Sequence, residues 1–388
     1  MASLRSSLSL LLVVALFHPS SSDGTVYDVV SYGANPDGQT DSAAALLKAW
    51  SAACGSPAPA TIRVPSGRFF LSRAAMNGPC KNTRVTIQMD GTFVAPSSYA
   101  DSEDWISFDH VDGVSMIGGT IDGQGASLWD CKAKGLSCPR GSRSLVFCNS
   151  KNISISGLTS VNSKLYHIVI DRSQNVLVQG VKITAPADSP NTDGVHVQGS
   201  ADVTILAAGI GTGDDCISVG PGTSNLWIEG VACGPGHGIS IGSLGKESQE
   251  EGVQNVTVKT VAFTGTQNGL RIKTWGRPSD GFVKGVVFQH ATMQNVENPI
   301  VITQNYCPDH KDCPGQDSGV KISQVTYSDI QGSSATPVAV DFSCSPTNPC
   351  SGIGLENIKL TYGNNAANAS CKNADGSASG FVIPPSCL

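Results

Sequence analysis

The sequence predicts an all-β chain, a right-handed parallel β-helix built as a solenoid of short strands. Three observations predict it. A strand pattern recurs as NISISGL at 152, NVLVQGV at 175, DVTILAA at 202, NLWIEGV at 225 and NVTVKTV at 255, with starts 23, 27, 23 and 30 residues apart. A second alternating strand follows within most units: HIVI at 167, GVHV at 194, CISV at 216, GISI at 238, GLRI at 269 and PIVI at 299. No helical pattern of ten residues recurs between these strands, which removes doubly wound sheets and α/β barrels. Short repeats with several period-two strands each cannot bury an apolar face alone, so coils must stack on one another.

Each element follows in order. Leu8 to Phe17 is an apolar run behind the basic Arg5, with small residues Ser20 and Ser22 after it. Residues 1–22 therefore read as a secretory signal, too short to span a bilayer. Residues 23–388 remain as one β-helix domain. DSAAALLKAWSAAC, Asp41 to Cys54, reads as a helix with Asp41 as its N-cap and Leu46, Leu47, Trp50, Ala53 and Cys54 on one face. It is placed as a lid on the N-terminal sheet edge, which needs a cover. Weaker strand repeats at 281, 319 and 352 carry the coils onward, and C-terminal loops held by two small disulfides are expected to close the far end.

Composition agrees with strands and tight turns. The 388 residues include 43 glycines, with only 14% charged and 6% aromatic residues. A net charge of −6 without a basic block argues against nucleic acid as a partner. No second long apolar run exists, so the mature chain is expected to be free of membrane; a monomer is also expected. Thirteen cysteines in a chain with a secretory signal point to disulfides. Neighbours pair most easily: Cys131–Cys138, Cys307–Cys313, Cys344–Cys350 and Cys371–Cys387, with Cys54–Cys80 and Cys216–Cys233 completing six. Cys148 is left over and is expected as a buried free thiol. Sequons stand at Asn152, Asn255 and Asn368.

Stacking the second strands in register exposes the chemistry. Val195, Ile217, Ile239, Leu270 and Ile300 fall in one inward column. Two places earlier, Asp193, Asp215 and His237 fall together, with Asp214 one place before Asp215. Coils about 4.8 Å apart crowd these groups into one patch. Arg271 and Lys273 alternate with Leu270 and Ile272, so both are expected to point outward beside the acids. Taken singly, these residues read as turn aspartates, an idle histidine and a solvated face. Calcium would want more oxygens than the patch offers. Together they crowd carboxylates so that one keeps a proton beside an ionised neighbour, the pair that glycosidic hydrolysis needs.

NTDG at 191, GDDC at 213, GHG at 236 and RIK at 271, in this order, resemble the four signature motifs of the polygalacturonases, glycoside hydrolase family 28. Tyr306 in ITQNYC and the segment YDVVSYGANPDGQTD at 27 extend the likeness over nearly all the mature chain, most closely to plant pollen-type exopolygalacturonases. The resemblance implies hydrolysis of α-1,4 bonds between galacturonic acids of pectin, from the non-reducing end, with inversion and with no metal or cofactor. It implies Asp214 as general acid, Asp193 and Asp215 as the groups that activate water, and His237 as support for the acid. Asn191, Arg271, Lys273 and Tyr306 would bind the galacturonate, Asn191 by bracing the carboxylates or touching sugar. It also implies a secreted glycoprotein of the plant cell wall. Endo action is the alternative; a pectate lyase and a non-catalytic cell-wall protein are further ones.

Overall fold

The computed structural model describes residues 24–99, 103–308 and 311–388; the expected signal at 1–22 lies outside them. Within them the chain winds as a parallel β-helix. A coil from the middle shows the plan. Gln174–Gln179 forms one face, Gly180 turns the chain, Lys182–Thr184 forms the second, and Val195–Gln198 forms the third. Strands of the first two faces share one 19-stranded sheet and those of the third build an 11-stranded sheet. The third face runs in continuous register: Ile168, Val195, Ile217, Ile239, Leu270, Ile300 and Val340 pair in sequence.

That column lies inside the coil and is fully buried. Period-two alternation produces it, because every second side chain points inward. Each such Val, Ile or Leu contributes roughly 1.5–3 kcal/mol by leaving water. Aromatic residues stack in the same way, Phe108 over Phe147 with centroids 4.6 Å apart. At one corner the chain takes left-handed backbone angles that asparagine tolerates. There Asn175 Nδ2 donates to Asn152 Oδ1 at 2.7 Å and Asn255 Nδ2 to Asn225 Oδ1 at 2.7 Å. Two of the three sequon asparagines, Asn152 and Asn255, are therefore rungs of an amide ladder.

Coiling begins earlier than the repeat suggests. Thr25–Asp28 already pairs with Ala60–Val64, and Ala74–Asn77 with Ile106–Asp109. The lid helix, α1, spans Ala43–Gly55 and buries Leu46, Trp50 and Ala53, with Trp50 edge-on to Phe108 at 5.4 Å. Its cap differs from the expected one. Ser42 holds the cap position, while Asp41 Oδ1 accepts from the N–H groups of Ala43 and Ser72, both at 3.0 Å. Asp41 thus ties the helix entry to the next coil. A short helix, α2, spans Ala126–Ala133 and was not anticipated; eight residues give too little periodicity to recognise.

At the far end, strands continue where loops were expected. Ala374–Ile383 pairs in parallel with Cys350–Tyr362, and Cys371–Cys387 pins the terminus beside it. All six expected disulfides are present. Cys148 is free but only half-buried. Alternation sends Leu145 and Phe147 inward and leaves Cys148 on the outer face. There its Sγ lies 3.0 Å from Arg172 Nη2 and 3.6 Å from Asp171 Oδ2.

Candidate active site

The site forms where successive coils enter the third face. Asp193, Asp215 and His237 each stand two residues before the paired column of Val195, Ile217 and Ile239. The sequence register therefore holds, and the groups occupy three consecutive coils. Asp214 joins them from the turn. Its backbone oxygen accepts from His237 N–H at 2.8 Å, and its Oδ1 lies 3.2 Å from His237 Nδ1. Asn191, in a left-handed conformation with φ 58°, aims its amide at Asp214 Oδ2 from 3.5 Å.

The carboxylates live in different surroundings. Asp215 is 1% exposed and accepts three bonds: Ser240 Oγ at 2.7 Å and Arg271 Nη2 at 2.9 Å on Oδ1, and Lys273 Nζ at 2.7 Å on Oδ2. Burial would raise its pKa, but Lys273 and Arg271 together with these hydrogen bonds outweigh it and hold the group at about 2. Asp193 is also buried and goes the other way. Burial first, then the charges of Asp214 and Asp215, push its pKa well above the usual carboxylate value. Ser218 Oγ, donating to its Oδ2 at 2.5 Å, is the chief opposing influence.

Arg271 and Lys273 were expected outward, free to meet an anionic ligand. They lie on the predicted face but are buried, 8% and 6% exposed, and both end on Asp215. An ionised carboxylate with no water around it needs cations, so these side chains fold down to it. Arg271 still contributes to the cleft wall, whereas Lys273 Nζ sits 5.2 Å from the centre of the Tyr306 ring. Tyr306 in turn packs edge-on against Trp275 at 5.4 Å.

A cleft of about 970 Å³ opens over these groups. Asn191, Asp214 and His237 line one part of it; Arg271, Thr303 and Tyr306 line the part toward later coils, next to the Cys307–Cys313 loop. Asp214 is thus the carboxylate of the trio that borders the cleft. Ligand atoms of Asp214, Asp215 and His237 lie within 4.8 Å of one another. They do not fit calcium, which seeks six or more oxygens, because those of Asp215 are already engaged by Ser240, Arg271 and Lys273. Ser218 and Ser240 were missed at the sequence level. The serines carried a signal: each is the outward residue of an alternating strand, in register with Arg271.

Buried carboxylates pushed in opposite directions beneath a polar cleft are the kind of arrangement that acid/base chemistry uses. The sequence profile of "Glycosyl hydrolases family 28" matches residues 54–380, and the chain belongs to that family. It is 60% identical to a polygalacturonase of Prunus persica, over 100% of both chains. It is 42% identical to an exopolygalacturonase of Platanus acerifolia, covering 94% of this chain and 98% of the relative. Among solved structures, the endo-xylogalacturonan hydrolase of Aspergillus tubingensis superposes with a TM-score of 0.76 at 24% identity, covering 92% of this chain and 100% of the other. At that identity the likeness speaks for the fold.

Proposed function

We infer that this protein hydrolyses the α-1,4 bonds between galacturonic acid residues of homogalacturonan, removing units from the non-reducing end with inversion. Family membership and the names of the two relatives support the substrate class. The observation that carries the chemistry is the placement of Asp214 at the cleft, with Asp193, Asp215 and His237 gathered around it. Six disulfides favour a secreted life, and the inferred pectin substrate would place it in the plant cell wall.

In this reading Asp215 stays a carboxylate throughout, fixed by its two cations. A further negative charge beside it is costly, so Asp193, buried among the charges of Asp214 and Asp215, seeks a proton. With a proton on Asp214, that side chain gives it to the glycosidic oxygen as the bond breaks. Asp193, then ionised and unusually basic, takes a proton from the attacking water, which Asp215 helps to hold. His237 orients Asp214. Arg271 and Tyr306 contact the sugar carboxylate and ring, and Lys273 acts beneath them by charge.

Two measurements test this. Release of reducing ends from polygalacturonate tests the activity, and no release would refute it. Chromatography of the first products tests the direction. Galacturonate monomer supports exo action, and a ladder of oligomers would show an endo enzyme.

A further inference from the structure

One outward column of the third face runs Val169, His196, Ser218, Ser240, Arg271 and Val301 on six successive coils. Its two serines make the same contact to a carboxylate of the preceding coil. Ser240 Oγ donates to Asp215 on the preceding coil at 2.7 Å and accepts from Arg271 Nε at 2.9 Å. Ser218 Oγ donates to Asp193 on the preceding coil at 2.5 Å and lies 2.8 Å from His196 Nδ1. Both serines are buried, 2% and 0% exposed. A hydroxyl has one proton to give. Once Ser218 gives it to Asp193, its lone pair must accept from His196, which fixes the proton of the imidazole on Nδ1. The other ring nitrogen, then carrying a lone pair, lies 3.3 Å from Gln198 Oε1, so this tautomer requires the Gln198 amide to turn its NH2 group toward it.

We propose that Ser218 and His196 are positioning residues that set the basicity of Asp193, as Ser240 and Arg271 set that of Asp215. The hydroxyl is common to both relays. What differs is what stands behind it, His196 on the preceding coil against Arg271 on the following one, and the direct bonds of Arg271 and Lys273 to Asp215. Arg271 is a permanent cation, so Ser240 donates strongly and its carboxylate stays ionised. His196 is neutral near neutral pH, because burial drives its pKa down to about 4. Ser218 is accordingly the weaker donor and leaves Asp193 proton-seeking. His196 is faced by Asp171, Arg143 and Asp215, and its ring lies 4.9 Å from that of Tyr166. Asp193 is faced by Asp214, Asp215 and Lys273. Burial and the charges of Asp214 and Asp215 make Asp193 proton-seeking, and the Ser218–His196 pair sets how far that tendency is restrained. The catalytic meaning rests on the role proposed above for Asp193; the titration itself does not.

The test uses the full-length protein with Ser218→Ala, Ser218→Thr, His196→Leu and His196→Asn. Asp carboxyl carbons labelled with 13C are titrated by NMR, and kcat and KM on polygalacturonate are measured from pH 3 to 9. Losing one neutral hydrogen bond should raise the Asp193 titration by about half to one pH unit in Ser218→Ala. The acid limb of kcat should move up by the same amount with KM unchanged. His196→Leu should shift it in the same direction by less. Ser218→Thr and His196→Asn, which keep a donor, should return both readouts to wild type. An Asp193 titration that does not move in folded Ser218→Ala overturns the relay. So does a shift that the threonine variant fails to reverse. If wild type releases no reducing ends while the titration still shifts, the relay stands and the assigned activity is what fails.

Discussion

Lys273 Nζ lies 2.7 Å from Asp215 Oδ2, joining residues 58 apart in sequence across the cleft floor. Both are buried, so solvent screens the contact little. Removing one member of such a pair strands the other charge. Lys273→Met is therefore expected to cost about 3–5 kcal/mol in stability, read from urea unfolding near neutral pH. A loss below about 1 kcal/mol would mean that Arg271 alone satisfies Asp215.

Acid stability follows from the same carboxylate. The folded pKa of Asp215 is about 2 against an ordinary 3.8. A depressed folded value stabilises above the unfolded pKa, and that stabilisation is lost as pH falls through the folded one. It amounts to about 2 kcal/mol, lost between about pH 4 and pH 2. Asp193, raised instead, has the opposite sign: its contribution is full in acid and fades as pH climbs through its raised folded value. Urea midpoints should fall from pH 4 to pH 2 in wild type and change less in Asp215→Asn. Equal slopes in the two proteins would contradict the assignment.

The coils from 150 onward were legible because period-two strands recur, and vertical stacking then aligned Asp193, Asp215 and His237. What the sequence hid is lateral. Nothing in RIK says whether a cation on an outer face meets solvent or folds down onto a carboxylate two coils away. Ser218 and Ser240 stand as outward residues of CISV and GISI in register with Arg271, but which carboxylate each hydroxyl bonds is not written in that spacing. The same blindness affected Cys148: its run SLVFCN is apolar, yet alternation turned the thiol toward Asp171 and Arg172. Before residue 150 the strands are interrupted by α1 and α2, so the repeat could not be counted there.

Gly236 holds the His237 turn against Asp214. Its φ is 147°, and an added Cβ would stand 2.7 Å from the Asp214 backbone oxygen, which accepts the His237 N–H. Gly236→Ala must push the two coils apart at that point. A displacement near 1 Å lowers kcat about 100-fold. Gly55→Ala, where a Cβ meets nothing within 4 Å, should match wild type in the same assay.

Disulfides near and far from the site should separate stability from activity. Cys216–Cys233 closes a separation of 17 residues directly after Asp215, and Cys371–Cys387 closes 16 at the C-terminal end. Replacing either pair by alanine should cost about 3 kcal/mol, measured by denaturant unfolding. Specific activity of the folded protein should drop for the first pair and hold for the second. Equal activity in both variants would mean that the Asp215 turn keeps its shape without its crosslink.

The most direct trial of the whole account is the rate of reducing-end release by Asp214→Asn, in protein whose circular dichroism matches wild type. Asparagine keeps the shape at the cleft but has no acidic proton to give. A fall of about 10²–10⁴-fold in kcat with little change in KM is expected. A variant that retains activity within a factor of ten would show that the proton comes from elsewhere, and the mechanism drawn around Asp214 would be wrong.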